Sequence, residues 1–237
     1  MSKPIAIIIG AGSGLSAALA RQLHAQGYAL HLAARDTNKL GDLVVETEAL
    51  HYQMDGSDPA AMAMLFDALP AAPRVAIYNP SARQRGPIAE LDPETVRRAI
   101  EVTAFGAFLM GQQAAKAMLT NELMNGKRGT ILFTGASAGV KGFAQSAPFA
   151  MGKFAQRGLA QSMARELHPK GVHVAWVNID GAIANPNRAA QPGNGGDDNA
   201  DRMLQPDAIA AAYLQLIDQH RSAWSNELSL RPWTESF

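Results

Sequence analysis

The chain contains no cysteine. Disulfide stapling and thiolate chemistry are both excluded. It also lacks an excess of charge of either sign, since 21 Lys plus Arg balance 21 Asp plus Glu over 237 residues. With no basic block and no acidic tail, it carries no electrostatic footprint for nucleic acid or an anionic membrane, so neither is an expected partner. No apolar run reaches the length of a membrane span. Ile5 to Ile9 run straight into a glycine loop and are too short for a span or a signal-peptide core. The reading is a soluble, cytoplasmic protein. The six histidines (His24, His31, His51, His168, His173, His220) include no pair at helical spacing, so no metal site is expected.

What the chain does have is alternation. Short apolar runs predict strands at Ile5–Ile9, Tyr28–Ala33, His51–Met54, Arg74–Tyr78, Gly129–Phe133, Val172–Val177 and Glu227–Leu230. Between them lie helical patterns at Leu15–Gln26, Thr37–Ala49, Pro59 to about Ala68, Pro93 to about Thr120, Phe149 to about His168, and Pro206–Asp218. Asp58-Pro59 and Asp92-Pro93 supply an N-cap followed by a proline in the first turn. Strand–helix alternation demands crossover connections and a parallel sheet. The expectation is one α/β domain over residues 1–237, a Rossmann-type doubly wound sheet of about seven strands with helices on both faces. Gln191 to Asn199, rich in Gly, Asn and Asp, predicts a mobile substrate loop at about 184–205. It follows a strand's carboxyl end, where open parallel sheets bind ligands.

Gly10-Ala-Gly-Ser-Gly14-Leu15 follows the first strand and opens the first helix. Glycines let backbone approach a pyrophosphate, and a helix N-terminus offers N–H groups and the positive end of its dipole. Gly10, Gly12, Ser13, Gly14 and Leu15 are therefore candidate nucleotide contacts. The second strand ends Leu32-Ala-Ala-Arg35, with no carboxylate placed to repel a 2′-phosphate. Arg35 suits such a phosphate, so NADP(H) is expected over NAD(H), although Asp36 stands beside it. Farther on, Ser146-Ala-Pro-Phe-Ala-Met-Gly-Lys153 starts a helix whose inner face carries Phe149, Lys153, Gln156, Ala160, Met163 and Leu167. A lysine on such a face ordinarily runs its methylenes along apolar surface and carries its charge out to water.

With these pieces placed, nearly the whole chain resembles the short-chain dehydrogenase/reductase family. The family's TGxxxGxG turn corresponds to Ile9 through Ser16, with Ile9 in the threonine place and Ser16 in the last glycine place. The resemblance implies an adenine contact at Asp55-Gly56, and it places the NNAG signature at Tyr78-Asn79-Pro80-Ser81. The family's proline-glycine becomes Asp180-Gly181, with Ile183 at a carboxamide contact. Phe149-Ala-Met-Gly-Lys153 lies at the YxxxK motif, where the lysine is buried because it holds the nicotinamide ribose. The same resemblance puts Ala136 at the catalytic serine, with Ser137 one place on, and Thr103 at the helical asparagine. The chain thus resembles a degenerate subgroup that keeps Lys153 and has Phe149 for the tyrosine.

A phenyl ring has no proton to give, and general acid catalysis is typically worth about 10² to 10⁴ in rate. Substitute donors are Ser137, Ser146, Tyr78 and Lys153 acting through water. Each of the first three also reads as a loop hydroxyl or a packing residue, and Thr103 reads as a cap within its own helix. Two functions stay open. One is an NADP(H)-dependent oxidoreductase of altered mechanism, acting on a small organic substrate such as an activated double bond or an iminium. The other is an inactive NADP(H)-binding sensor or partner protein. The resemblance, with small residues along two helices, implies a homodimer or homotetramer.

Overall fold

Ile5–Ile9 is apolar at every position, which suits a strand covered on both faces. In the computed structural model, which describes residues 3–184 and 202–235, this strand (β1) lies inside a sheet and pairs on both sides. The other strands are β2 (Ala29–Ala34), β3 (Leu50–Gln53), β4 (Val75–Tyr78), β5 (Gly129–Thr134), β6 (Val172–Ile179) and β7 (Glu227–Leu230). All pair in parallel in the order β3-β2-β1-β4-β5-β6-β7. The order reverses between β1 and β4, which opens a crevice at their carboxyl ends.

Strand alternation divides the core into two layers. Ala6 and Ile8 join one, packed with α1 (Leu15–Ala25), α2 (Gly41–Thr47) and α7 (Pro206–Asp218). Ile5, Ile7 and Ile9 join the other, packed with α3 (Pro59–Asp67), α5 (Gly106–Leu119) and α6 (Ala147–Leu167). Leu19 and Leu23 of α1 are fully buried. Each such side chain contributes about 1.5–3 kcal/mol relative to exposure. Asp58 caps α3 by accepting from the Ala60 and Ala61 N–H groups, as its Asp-Pro start predicts. Among the described residues no helix is long and apolar enough to cross a membrane.

Two expectations change, and a third is not reached. The helical pattern at Thr37–Ala49 is a 3₁₀ turn (Thr37–Leu40) followed by the short α2, which ends at Glu48 in the left-handed region (φ 52°). The long helix from Pro93 is interrupted. α4 (Pro93–Ile100) passes through a π-turn (Glu101–Phe105) before α5. The proposed loop segment 191–199 lies outside the described residues.

The π-turn has a packing cause. A Cβ on Gly106 would sit 2.1 Å from the Tyr78 hydroxyl oxygen and 2.6 Å from the Gly56 carbonyl oxygen, so only glycine admits Tyr78 there. The wide turn leaves the Val102 carbonyl to accept from Tyr78 at 2.6 Å. Gly111 and Gly152 likewise admit Met163 and Thr103 of the same chain. These three glycines admit side chains and backbone of their own chain, whereas Gly158 on α6 faces open space. Gly106→Ala is expected to lower unfolding free energy by about 2–3 kcal/mol through overpacking. Gly158→Ala, at an exposed α6 position with open space around it, is expected to raise it by about 0.5–1 kcal/mol. Urea denaturation of both variants checks the pair, and equal effects would refute the packing account.

Candidate functional site

A cavity of about 1160 Å³ opens at the carboxyl end of the sheet. Its floor begins at the glycine turn, where Gly10 takes φ +82° and lies against Pro80. A Cβ on Gly10 would meet the Pro80 ring at 2.7 Å, so glycine is required twice over. Gly12 and Gly14 line the cavity and have no other atoms within 4 Å of where a side chain would start. Gly14 is the N-cap of α1 and supplies no side-chain cap, and the first turn carries no acidic residue. Uncapped N–H groups at a helix N-terminus facing open space fit a pyrophosphate. Ser16 closes the turn: its hydroxyl donates to the Gly10 carbonyl at 3.0 Å and accepts from the Asn79 amide at 2.5 Å.

Lys153 stands at the other end. It does not reach water along its stem as its helix position suggested, being 2% exposed. Its ammonium donates to the Thr134 carbonyl at 2.5 Å and to Gln156 Oε1 at 3.3 Å. Gln156 is itself fully buried. Its oxygen also accepts from the Trp176 indole at 3.3 Å, and its amide donates to the Thr103 carbonyl of the π-turn at 3.2 Å. Lys153 is therefore tied through one glutamine to the helix that the resemblance assigns to a relay asparagine. Desolvation, with the Arg83 guanidinium adding to it, pushes the Lys153 ammonium down to about 7.

Of the predicted residues, Gly10, Gly12, Gly14, Leu15, Asn79, Ala136, Ser137, Phe149, Lys153, Gly181 and Ile183 line this one cavity. Ser13, Arg35, Asp55, Gly56, Pro80 and Thr103 do not. Pro80 backs Gly10, and Gly56 packs on Ile9 and Tyr78. Asp55 accepts from the Ser57 backbone N–H at 2.9 Å and pairs with Arg98. Arg35 is exposed just past β2. Its neighbour Asp36 is turned to capping, accepting from the Asn38 N–H at 3.2 Å and pairing with Lys39 at 3.0 Å.

The candidate donors separate. Tyr78 is fully buried, gives its proton to Val102 and does not line the cavity; burial raises its pKa. Ser137 lines the cavity close to Asp180, whose carboxyl it helps hold below the ordinary carboxylate range. Thr103 does not cap its own helix. Its hydroxyl accepts from the Ala82 N–H at 3.1 Å, on the loop after β4. Ser146 lines the cavity at the start of α6. Sequence reasoning missed Gln156 as a functional residue, though a glutamine on a buried face always needs partners. It also missed Arg83 and Arg85 at the cavity wall, which no periodicity marks.

Lys153 makes stability depend on pH. The unfolded lysine keeps the ordinary value of 10.5, so between about pH 7 and 10.5 the unfolded chain binds more protons than the folded one. Stability contributed through this group rises with pH across that window. Lys153→Met removes the linkage, so its melting temperature is expected to gain on the wild type's most near pH 7 and least near pH 10. Thermal melts of both proteins across that range test this, and a constant gap would refute the depressed pKa.

Residues 4–190 match the short chain dehydrogenase family. L-2,3-butanediol dehydrogenase of Corynebacterium glutamicum is 30% identical over 211 residues, covering 79% of this chain and 79% of its own. The (3R)-3-hydroxyacyl-CoA dehydrogenase of Rattus norvegicus is 29% identical over 204 residues, covering 79% and 77%. This chain spans 66% to 79% of the first curated relatives it matches. A short-chain dehydrogenase from Rhodopseudomonas palustris superposes with a TM-score of 0.80 at 32% identity, over 97% of this chain and 99% of that one. A metagenomic short-chain oxidoreductase in complex with NADP gives 0.80 at 27% identity, over 98% of each. The chain belongs to the short chain dehydrogenase family, a family of oxidoreductases.

Proposed function

We propose that this protein is an NADP(H)-dependent oxidoreductase that passes hydride between nicotinamide and a small organic substrate, with Lys153 as proton source in place of a tyrosine. The observation that carries this reading is the shared cavity: the uncapped glycine turn and the buried Lys153 line the same space. Gly12, Gly14 and the α1 N-terminus would hold the pyrophosphate, Asn79 and Ile183 the nicotinamide half, and Lys153 the ribose between them. A bound nicotinamide supplies or takes up the hydride.

Arg35 supports the NADP preference. Asp36, the one carboxylate beside it, is already bonded to Lys39 and to a backbone N–H, which lessens its repulsion of a 2′-phosphate.

Phe149 lines the cavity with no ionisable group, which supports reading the site as one with phenylalanine in the tyrosine's place. Among the described lining residues, Lys153 is the one whose pKa falls near neutral. An acid of that pKa is well matched to protonating a developing anion near pH 7. The reading of a nucleotide-binding protein without turnover draws on the same Phe149 and on the engagement of Lys153 with Thr134 and Gln156.

We further propose a homodimer or homotetramer built on α5 and α6. Phe105, Phe108, Met151 and Phe154 on and next to these helices are each at least 40% exposed.

Calorimetric titration with NADPH, and with NADH as control, is expected to show tighter NADPH binding that Arg35→Ala reduces. With an acceptor panel, the rate is expected to fall as pH rises through about 7, because the acid form of Lys153 is lost. Phe149→Tyr is expected to raise carbonyl reduction by about 10²-fold. NADPH binding without oxidation by any acceptor would favour the inactive reading. Absence of binding by either nucleotide would refute both. Light scattering of the protein tests the oligomer, and a monomer at micromolar concentration would refute it.

A further inference from the structure

The cavity wall beyond Phe149 is cationic, in a chain whose total charge is balanced. Arg83 and Arg85 line it together with Lys153, and no Asp or Glu is among the described lining residues. The Arg83 guanidinium lies over the Phe149 ring, 4.6 Å from its centroid. The facing loop adds a further cation behind the lining: Lys141 sits 5.5 Å from the centroid of Phe143. Asp180, next in sequence to the lining residue Gly181, pairs with Arg231.

This wall is a built feature. The loop that carries the arginines is fixed at three points. Asn79 N–H donates to the Ile9 carbonyl at 3.0 Å, Ala82 N–H to Thr103 Oγ1 at 3.1 Å, and Gly86 N–H to the Gln145 carbonyl at 3.2 Å. Arg83 and Arg85 thus hang between the π-turn and the loop that precedes α6. Ser137, Gln145 and Ser146 line the same cavity.

We propose that Arg83 and Arg85 form an anion subsite, so that the substrate is a small molecule bearing a carboxylate or phosphate close to the carbon that exchanges hydride. The pair presents forked donors suited to either group. An iminium substrate is disfavoured, because three cations would surround a fourth. The anion also answers a difficulty at Lys153. Arg83 disfavours its protonated form, and an anion held at the arginines offsets that field, so substrate binding charges the acid when it is needed. The position of hydride entry rests on the nucleotide reading above; the anion subsite itself does not.

The test is calorimetry of the purified full chain with benzoate, phenyl phosphate, benzamide and benzylamine, with and without saturating NADPH. Benzoate or phenyl phosphate is expected to bind at least about tenfold more tightly than the neutral or cationic probe. The tighter of the two identifies carboxylate or phosphate as the source. Arg83→Gln and Arg85→Gln are each expected to weaken that probe by about tenfold, with Arg83→Lys partly retaining it. Circular dichroism and NADPH affinity of each variant report on folding.

Equal binding of benzoate and benzamide would overturn the proposal. So would anion binding that the double Gln variant leaves unchanged, including binding that NADPH displaces, since that locates the anion at the glycine turn. Arginine-dependent anion binding in a protein that takes no NADPH would sustain the subsite and sink the nucleotide reading alone.

Discussion

The site is organised around an amine with no carboxylate partner among the described residues. Lys153 is 2% exposed, and its ammonium rests on a backbone carbonyl and a glutamine oxygen. Neutral acceptors compensate desolvation only in part, which is why the charge is poorly held near pH 7. Other features of the cavity follow from accommodating that group. Gln156 is held from both sides by Trp176 and Thr103, so its oxygen faces the lysine in one orientation. Phe149, one helical turn away, adds no proton donor and carries a guanidinium on its face.

The π-turn makes this arrangement possible. A regular helix through residues 101–105 would spend the Val102 and Thr103 carbonyls on its own ladder. The wider turn presents them to Tyr78 and Gln156, and the Thr103 hydroxyl holds the loop after β4. One irregular turn therefore connects the buried lysine, the arginine loop and the strand beneath the cavity. Gly106 and Gly152 are the residues whose missing side chains let these parts approach.

Much of the fold was legible. Every strand and each cap at an Asp-Pro start announced itself, because apolar runs, caps and prolines act over a few residues. The glycine turn was legible for the same reason: strand, glycines and helix are contiguous. The π-turn was not, since its cause is a tyrosine from another strand. Nor was the network around Lys153, which bonds Thr134 of β5 and Gln156 of its own helix, with Gln156 held in turn by β6 and the π-turn. Arg83 and Arg85 carry no periodic signal, and only the pinning of their loop sets them on the cavity wall. Tyr78 read as a possible donor, yet its hydroxyl is already engaged with the Val102 carbonyl.

By itself, then, the sequence determined the alternating α/β architecture, the place of the glycine turn, and the absence of a hydroxyl at Phe149. These depend on local periodicity, backbone freedom and side-chain identity. Tertiary structure decided which polar groups meet in the interior. It enclosed Lys153 among neutral acceptors, leaving it weakly protonated, and set two arginines on the same cavity. That outcome depends on desolvation and on distances between residues far apart in the chain, and neither is written in any one stretch of sequence.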